Sequence, residues 1–226
     1  VLSSLIWSEF LSRLGIEPAA VGGHSLGELC AFYKAGAFSA GELLQFAQFR
    51  GKVMSNPAGA SGVMMSVFCS LSEARALIEQ VEGIIVIANI NAPKQIILSG
   101  EEKAVRAAER LAAEKKIRTV ILPVSNAFHS PLMHEASQKI EGFAGIARTF
   151  TPEKIALFSG MADAPVQGEV RVQEYFSRQC ISGVHFVQMV QRMMKECDLL
   201  IEAGPGRVLS GLVKQIDADA VCLPVE

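Results

Sequence analysis

Long hydrophobic runs and clustered charge are both missing from this sequence. Hydrophobic residues make up 50% of its 226 positions, yet no apolar stretch reaches the ~20 residues that a membrane-spanning helix needs, and no cleavable leader opens it. The 21 Lys and Arg residues are interspersed with 23 Asp and Glu residues and form no basic stripe that could follow a phosphate backbone. We therefore expect a globular, cytoplasmic protein with no nucleic-acid or membrane partner.

Cysteine is scarce and scattered. No two cysteines form a C-x-x-C pair, the spacing typical of zinc sites and redox motifs. They are Cys30, Cys69, Cys180, Cys197 and Cys222. Isolated cysteines of this kind behave as small hydrophobic residues in a reducing compartment. We expect neither disulfides nor a metal site.

The most informative feature present is the segment Gly23–Gly27, with the sequence GHSLG. In a Gly-x-Ser-x-Gly elbow a strand turns abruptly into a helix, which projects the serine hydroxyl into a cleft and places backbone N–H groups beside it. A short apolar run over residues 19–22 precedes the motif, and apolar residues recur at helical spacing after it. Ser25 is therefore a candidate nucleophile, and the alternative is a glycine-rich turn with a passive serine.

Periodicity and capping residues predict alternating helices and strands. Ser39–Glu42, Ser70–Glu73 and Ser99–Glu102 each have the form of a capping box at a helix start, and the helix after Ser39 is expected to end at Asn56–Gly59. The predicted helices cover residues 2–14, 26–35, 40–54, 71–80, 100–115, 130–140, 172–180, 184–194 and 208–216. The predicted strands cover residues 19–23, 63–68, 84–90, 95–98, 117–122, 155–158, 198–203 and 221–223.

The pattern over residues 62–122 is β-α-β-β-α-β, the order of the split ferredoxin-like unit. Stretches of α/β alternation flank it on both sides. We therefore predict an α/β protein in which a smaller subdomain, residues 59–123, is inserted into a larger catalytic subdomain formed by residues 1–58 and 124–226. The chain opens without an initiator methionine and inside a helical pattern, so we expect it to be a piece of a larger polypeptide.

A serine nucleophile needs a base within hydrogen-bond reach, and the chain has four histidines. His129 follows a predicted strand end and precedes the helix start at Ser130–Pro131, and loops at strand ends are where α/β proteins build their sites. A buried, hydrogen-bonded structural histidine is an equally good interpretation. His24 is adjacent to Ser25 on the elbow, which favours a structural role, and His185 begins a predicted helix.

Arg50 lies inside the apolar stripe of the predicted helix 40–54, one turn after Phe46 and one turn before Met54. A guanidinium stays protonated, and burying it without an anionic partner is costly. No acid shares the stripe. The partner of Arg50 is therefore either a distant Asp or Glu or the carboxylate of a ligand bound near Ser25.

On these residues, the chain resembles the malonyl-CoA:acyl-carrier-protein transacylases and the acyltransferase domains of fatty acid and polyketide synthases. The matching segments occur in the family's order and spread over nearly the whole chain. They are Gly23–Glu28, Arg50–Met54, Ala88–Gln95, Asn126–Met133 and Glu202–Leu209. The resemblance implies an α/β-hydrolase-like large subdomain with a ferredoxin-like insert, and catalysis in the cleft between them.

The resemblance also implies a reaction and its main residues. Ser25 would be the acylated nucleophile, and His129 would act as its general base and then protonate the leaving thiol. Arg50 would hold the free carboxylate of the malonyl group. The partners would be malonyl-CoA and the phosphopantetheine thiol of an acyl carrier protein, and no bound cofactor is expected.

Other residues of the matching segments would line the substrate-binding site. Leu26 would donate its backbone N–H to the developing oxyanion. Phe128 would crowd the space of an α-methyl group, which favours malonyl over methylmalonyl. His24 and His185 complete the set of expected substrate-binding residues.

The chain departs from the family at two points. It does not include the family's Gln-Gly-x-Gln segment, whose glutamine supplies a second oxyanion donor. Gly183–Phe186, with the sequence GVHF, stands where the family has Pro-Val-Arg/Gln-Phe/Trp. In the family this stretch helps to orient the base through a backbone carbonyl.

Two other functions fit parts of the sequence. A serine acyl hydrolase would use Ser25 and His129 but has no use for a buried Arg50. A catalytically inactive fragment of a synthase would only dock a carrier protein. Arg50→Ala distinguishes a hydrolase from a transacylase, because a transacylase should lose malonyl and gain acetyl or longer acyl groups while a hydrolase should barely respond. A malonyl adduct on Ser25 would exclude the inactive fragment.

Overall fold

The computed structural model describes residues 1–55, 62–124, 126–161 and 165–225. The helices are α1 (Leu2–Arg13), α2 (Glu28–Lys34), α3 (Ala40–Ser55), α4 (Leu71–Ile78), α5 (Glu102–Glu114), α6 (His134–Glu141), α7 (Val172–Ile181), α8 (Phe186–Glu196) and α9 (Val208–Ile216). The strands are β1 (Ala20–Gly22), β2 (Gly62–Val67), β3 (Ile85–Ala92), β4 (Gln95–Glu101), β5 (Thr119–Ile121), β6 (Thr149–Phe150), β7 (Ala156–Phe158), β8 (Val170–Arg171), β9 (Leu200–Ala203) and β10 (Cys222–Val225). The predicted alternation of helices and strands is confirmed, while the predicted helix end at Asn56–Gly59 lies outside the described residues.

The chain packs into two compact units. The first unit comprises Val1–Phe49, Ala144–Val172 and Phe186–Glu226, and the second comprises Arg50–Phe143 and Gln173–His185. The second unit is thus larger than the predicted insert, because the residues that follow β5, as far as Phe143, and most of α7 pack with it. The predicted limit between residues 58 and 59 lies outside the described residues, and the division into domains stays a prediction.

The second unit contains a four-stranded antiparallel sheet with the strand order β3-β4-β2-β5. Helix α4 lies between β2 and β3 along the chain, and α5 lies between β4 and β5, so the chain has the predicted β-α-β-β-α-β order. Met64, Ala88 and Ile97 form a buried hydrophobic group, here called the Met64 cluster, against which Leu122 and Phe128 pack. At the sheet edge, β3 forms a parallel bridge from Asn89 to Val184.

Two of the predicted capping boxes start helices as expected. At α3, the backbone N–H of Ser39 donates to the Glu42 carboxylate at 2.8 Å, and the Glu42 N–H donates back to the Ser39 hydroxyl at 3.3 Å. Ser70 and Glu73 form the same reciprocal pair at α4. Each box satisfies two backbone donors that a helix start leaves without an intrahelical acceptor.

The third predicted capping box, at Ser99–Glu102, is wrong. Strand β4 continues to Glu101, and α5 begins directly after it without a side-chain cap. Gly100 gives the reason, since the Ile84 backbone oxygen lies only 2.1 Å from the position that a Cβ on Gly100 would take. The glycine therefore permits a close approach of two backbones within the sheet, rather than belonging to a cap.

The first unit contains pairs of parallel strands. Strand β1 pairs with β7, and β9 pairs with β10. Helices lie between the paired strands along the chain, with α8 beside β1 and α9 beside β10, which is the arrangement of an α/β protein. The predicted α/β class is confirmed. None of the helices in the described ranges has the length and apolar character needed to cross a membrane.

Helix α9 starts against a buried carboxylate. Glu202, in β9, accepts hydrogen bonds from the backbone N–H groups of Leu209 at 2.9 Å and Ser210 at 2.7 Å. A negative charge at a helix N-terminus satisfies unbonded donors and interacts favourably with the helix dipole. The segment Glu202–Leu209, one of those that carry the family resemblance, thus fixes the strand-to-helix connection.

Candidate active site

The first unit holds Ser25 on a sharp turn between β1 and α2. Ser25 has φ +50°, a left-handed backbone conformation that is rare outside glycine, and it begins a 3₁₀ turn, Ser25–Gly27, that leads into α2. A Cβ on Gly23 would lie 2.2 Å from the carbonyl carbon of Gly27, so only glycine lets the chain fold back at this point. These are the features of a nucleophile elbow.

Residues beside Ser25 anchor the elbow. The buried Glu28 carboxylate accepts a hydrogen bond from the Gly160 N–H at 2.9 Å, which ties the start of α2 to the segment after β7. The His24 ring packs edge-on against Phe186, with 5.2 Å between ring centroids. The Leu26 side chain is exposed, and its N–H lies in a first helical turn, where donors have no intrahelical acceptor. The sequence did not single out Glu28, although Glu28 ends the same motif.

The second unit holds the buried His129 ring in a fixed orientation. Nδ1 of His129 lies 3.1 Å from the backbone oxygen of Gln179 and 2.9 Å from that of Ser182. Because a carbonyl oxygen only accepts, Nδ1 carries the hydrogen, and in the neutral ring Nε2 then has the lone pair that a general base needs. The backbone also contributes, since the His129 N–H donates to the Cys180 oxygen at 3.2 Å.

Backbone carbonyls therefore orient His129 even though Gly183–Phe186 departs from the family sequence. Val184 donates to the Ala88 oxygen and accepts from the Ile90 N–H, each at 2.8 Å. These two bonds fasten the segment that carries the Ser182 carbonyl to the edge strand β3. Because the contacts to the ring come from the main chain, they do not depend on the side chains of residues 183–186. His185 itself is exposed.

Arg50 is buried on the apolar side of α3, as its place in the stripe predicts, with 5% of its surface exposed. Its Nη2 donates to Oε1 of Gln179 at 3.0 Å. Gln179 is fully buried and is also a residue whose backbone oxygen faces the His129 ring. The structure thus brings Arg50 and His129 together through one residue that the sequence analysis did not single out.

Cys180 follows Gln179 in α7 and is fully buried. Burial raises the pKa of the Cys180 thiol to about 11, and the positive charge of Arg50 opposes that shift. The thiol therefore stays protonated at neutral pH and is a poor nucleophile. Within the described ranges no group of three or more His, Cys, Asp and Glu side chains is arranged to hold a metal ion.

Asn126 and Phe128 belong to the segment that leads to His129. Asn126 donates from Nδ2 to the backbone oxygen of Met54 at 2.8 Å, near the end of the helix that carries Arg50. Phe128 is half-buried and packs against the Met64 cluster, which holds the ring in place. The roles of Phe128, Leu26, His24 and His185 toward a substrate stay predictions.

Comparison with known proteins identifies the family. A family model described as the acyl transferase domain matches residues 6–216. The malonyl CoA-acyl carrier protein transacylase of Bacillus subtilis is 34% identical over 223 residues, which are 95% of this chain and 70% of that protein. Polyketide synthase GfsA of Streptomyces halstedii is 33% identical over 207 residues, which are 89% of this chain and 3% of the synthase.

A solved structure shows the same fold. The acyl-carrier-protein S-malonyltransferase of Burkholderia pseudomallei matches with a TM-score of 0.92 and 30% sequence identity, covering 99% of this chain and 75% of that one. The resemblance to the acyltransferases that the sequence motifs indicated is confirmed. The chain belongs to the acyl transferase domain family.

Proposed function

We propose that the chain transfers a malonyl group from CoA to the phosphopantetheine thiol of an acyl carrier protein, in fatty acid or polyketide synthesis. One observation carries the proposal: in a member of the acyl transferase family, a buried guanidinium and a buried, oriented imidazole are held by the same residue, Gln179. A guanidinium is the bidentate partner that a carboxylate prefers, and an imidazole is the commonest general base. Two of the relatives described above are named for malonyl transfer.

In the proposed first half-reaction, the Ser25 hydroxyl oxygen attacks the thioester carbon while Nε2 of His129 accepts the hydroxyl proton. The backbone N–H of Leu26 stabilises the negative charge on the former carbonyl oxygen. The carbon–sulfur bond then breaks, and His129 returns the proton to the CoA thiolate. The product of this step is a malonyl ester on Ser25.

In the proposed second half-reaction, the phosphopantetheine thiol attacks the ester while His129 accepts its proton and passes that proton to the Ser25 oxygen. Arg50 holds the malonyl carboxylate throughout, which fixes the reacting carbonyl relative to the nucleophile. An acyl group without a carboxylate would leave the guanidinium without this ligand and is therefore disfavoured. No metal ion or bound cofactor takes part in the proposed steps.

Phe128 is proposed to favour malonyl over methylmalonyl. Its ring is anchored on the Met64 cluster, so it cannot retreat easily from a bulkier acyl group. A single methyl group provides about 1–3 kcal/mol of discrimination in an apolar pocket. We also propose a cytoplasmic location, because the five cysteines are free thiols, as in proteins of reducing compartments.

Intact-protein mass spectrometry after exposure to malonyl-CoA tests the proposed function. We expect a malonyl adduct on the wild-type chain and none on Ser25→Ala or His129→Ala. His134→Ala is the matched control, because His134 is an exposed histidine of the same unit, and it should label like the wild type. Arg50→Ala should lower malonyl labelling by about 30-fold or more and raise the relative labelling by acetyl-CoA.

Two results would contradict the proposal. A wild-type chain with no adduct on Ser25 would indicate a fragment that only docks a carrier protein. An adduct that water removes faster than a phosphopantetheine thiol does would indicate an acyl hydrolase.

A further inference from the structure

Gln179 makes two different contacts with the proposed reactive groups. Its side-chain Oε1 accepts from Nη2 of Arg50 at 3.0 Å, while its backbone oxygen lies 3.1 Å from Nδ1 of His129. Arg50, His129 and Gln179 all belong to the second unit, and each is at least nine-tenths buried. Because a guanidinium only donates hydrogen bonds, the amide atom that faces it is the oxygen.

The Gln179 side chain, which accepts a hydrogen bond from Arg50, is neutral. An amide oxygen accepts one N–H of the guanidinium and fixes the plane of its fork, yet adds no negative charge beside it. A carboxylate at the same place would accept in the same geometry but would also compete with an anionic ligand for the arginine, since charge-assisted carboxylate pairs are much stronger than neutral hydrogen bonds. The Gln179 amide therefore orients the Arg50 guanidinium without neutralising its positive charge.

We propose that Gln179 is a positioning residue that sets the specificity of the acyl transfer. Its amide aims the Arg50 guanidinium at the substrate carboxylate and adds no negative charge that would compete with that carboxylate. Its backbone carbonyl fixes the His129 tautomer independently of the side chain. This inference rests on the proposed function. In that reaction, Gln179 would make the enzyme prefer acyl groups that carry a carboxylate.

The two roles of Gln179 are separable by mutation, because only one of them depends on the side chain. Gln179→Glu keeps the size and the acceptor oxygen and adds one negative charge 3.0 Å from the guanidinium. We expect kcat/KM for malonyl-CoA to fall by about tenfold or more, mainly through KM, while kcat/KM for acetyl-CoA changes little. The malonyl-to-acetyl ratio is the decisive quantity, because a merely structural role would lower both values together.

Gln173 provides a matched control on the same helix. Its amide Nε2 donates to the backbone oxygen of Phe143 at 2.9 Å, and it has no contact with the proposed reactive groups among those described. Gln173→Glu adds the same charge to α7 and removes a hydrogen bond. We expect this variant to keep the wild-type malonyl-to-acetyl ratio even if its stability falls.

A second, uncharged variant tests the role of Gln179 even if Gln179→Glu does not fold. Gln179→Met removes the acceptor and adds no charge, so we expect the KM for malonyl-CoA to rise by about fivefold or more while the KM for acetyl-CoA stays near its wild-type value. The inference is overturned if a folded Gln179→Glu variant keeps the wild-type ratio or loses both activities equally, or if Gln179→Met leaves the KM for malonyl-CoA unchanged. A wild-type chain that accepts no malonyl group would instead overturn the proposed function, and this inference with it.

Discussion

Asn126 donates its side-chain amide to the backbone oxygen of Met54 at 2.8 Å, across 72 residues of sequence. The bond joins the last turn of the helix that carries Arg50 to the segment that carries His129. Both residues are buried, so water cannot readily replace either partner. Arg50 and His129 are therefore connected at two places, through Gln179 and through this bond.

Replacing Asn126 by Leu should destabilise the second unit. Leucine has a similar size but leaves the buried Met54 carbonyl without its donor, which costs about 1–3 kcal/mol. Chemical denaturation measures the loss. Gln138→Leu is the control, because the exposed Gln138 amide contacts the exposed His134, and it should change the free energy of unfolding by less than about 0.5 kcal/mol. Equal effects of the two variants would contradict the buried-bond interpretation.

Two glycines of the GHSLG motif should differ sharply in their tolerance of alanine. A Cβ on Gly23 would lie 2.2 Å from the Gly27 carbonyl carbon, whereas a Cβ on Gly27 has no heavy atom within 4 Å. We expect Gly23→Ala to lose about 1–3 kcal/mol or more of stability together with Ser25 acylation. Gly27→Ala should keep both. Thermal unfolding and adduct mass spectrometry measure the difference, and a stable, acylated Gly23→Ala would refute the elbow geometry.

The backbone of Ser25 predicts an unusual order of stability between two inactive variants. At φ +50° any residue with a Cβ is strained by about 1–2 kcal/mol, and glycine is not. We expect Ser25→Gly to be more stable than Ser25→Ala, with neither forming an adduct. At Ser8, in the middle of α1, the order should reverse, because glycine costs about 1 kcal/mol relative to alanine in a helix interior. If alanine were the more stable substitution at Ser25 as well, Ser25 would be unstrained.

Phe128 and Leu122 both pack against the Met64 cluster. Comparing their alanine variants therefore separates an effect on packing from an effect on the choice between malonyl and methylmalonyl. Both alanine variants should lose stability. Only Phe128→Ala should raise the methylmalonyl-to-malonyl ratio of kcat/KM, by about tenfold or more, the value of one methyl group in a tight pocket. Competition assays with the two CoA thioesters give the ratio. A ratio that rises equally in Leu122→Ala would assign the effect to loosened packing.

The Glu42 carboxyl should make a pH-dependent contribution to the stability of the first unit. Hydrogen bonds from Arg148, and then from Ser39, lower the pKa of the Glu42 carboxyl from 4.5 to about 2. Because the folded pKa is depressed, the stabilisation is present above pH 4.5 and is lost as the pH falls toward 2. The difference in melting temperature between the wild type and Glu42→Gln should shrink over that window.

Glu73 provides the control for this pH effect. It forms the same capping box with Ser70, and hydrogen bonds from Ser70 rather than from an arginine are the main cause that lowers its pKa. Glu73→Gln should therefore show a smaller pH-dependent difference than Glu42→Gln. A difference for Glu42→Gln that is constant across the window would exclude the Arg148 interaction as its source.

Features set by neighbouring residues could be predicted from the sequence. The burial of Arg50 follows from the apolar stripe of its own helix, and the elbow at Ser25 follows from the small residues around it. The predicted capping box at Ser99 failed for a non-local reason, because only the sheet reveals that the Ile84 backbone approaches Gly100. A four-residue pattern contains no information about such a contact.

The missed residues have partners far away along the chain. Gln179 meets Arg50 across 129 residues, and Glu28 meets Gly160 across 132. Gln179 shows no local pattern that distinguishes it from an ordinary helix position, and the motif that Glu28 ends does not indicate its distant partner. The fold brings each pair together, so the sequence offered the candidate reactive groups but not the residues that orient them.

The anchoring of His129 and Arg50 by α7 has a consequence for biosynthesis. The carbonyls that face the imidazole follow it by 50 and 53 residues, and the amide that faces the guanidinium follows it by 129. A ribosome therefore synthesises the four-stranded sheet and the side chains of Arg50 and His129 well before it synthesises α7. A nascent chain that has not yet extruded α7 would present both groups without these contacts, so we expect the proposed acyl transfer to begin only when that late helix docks.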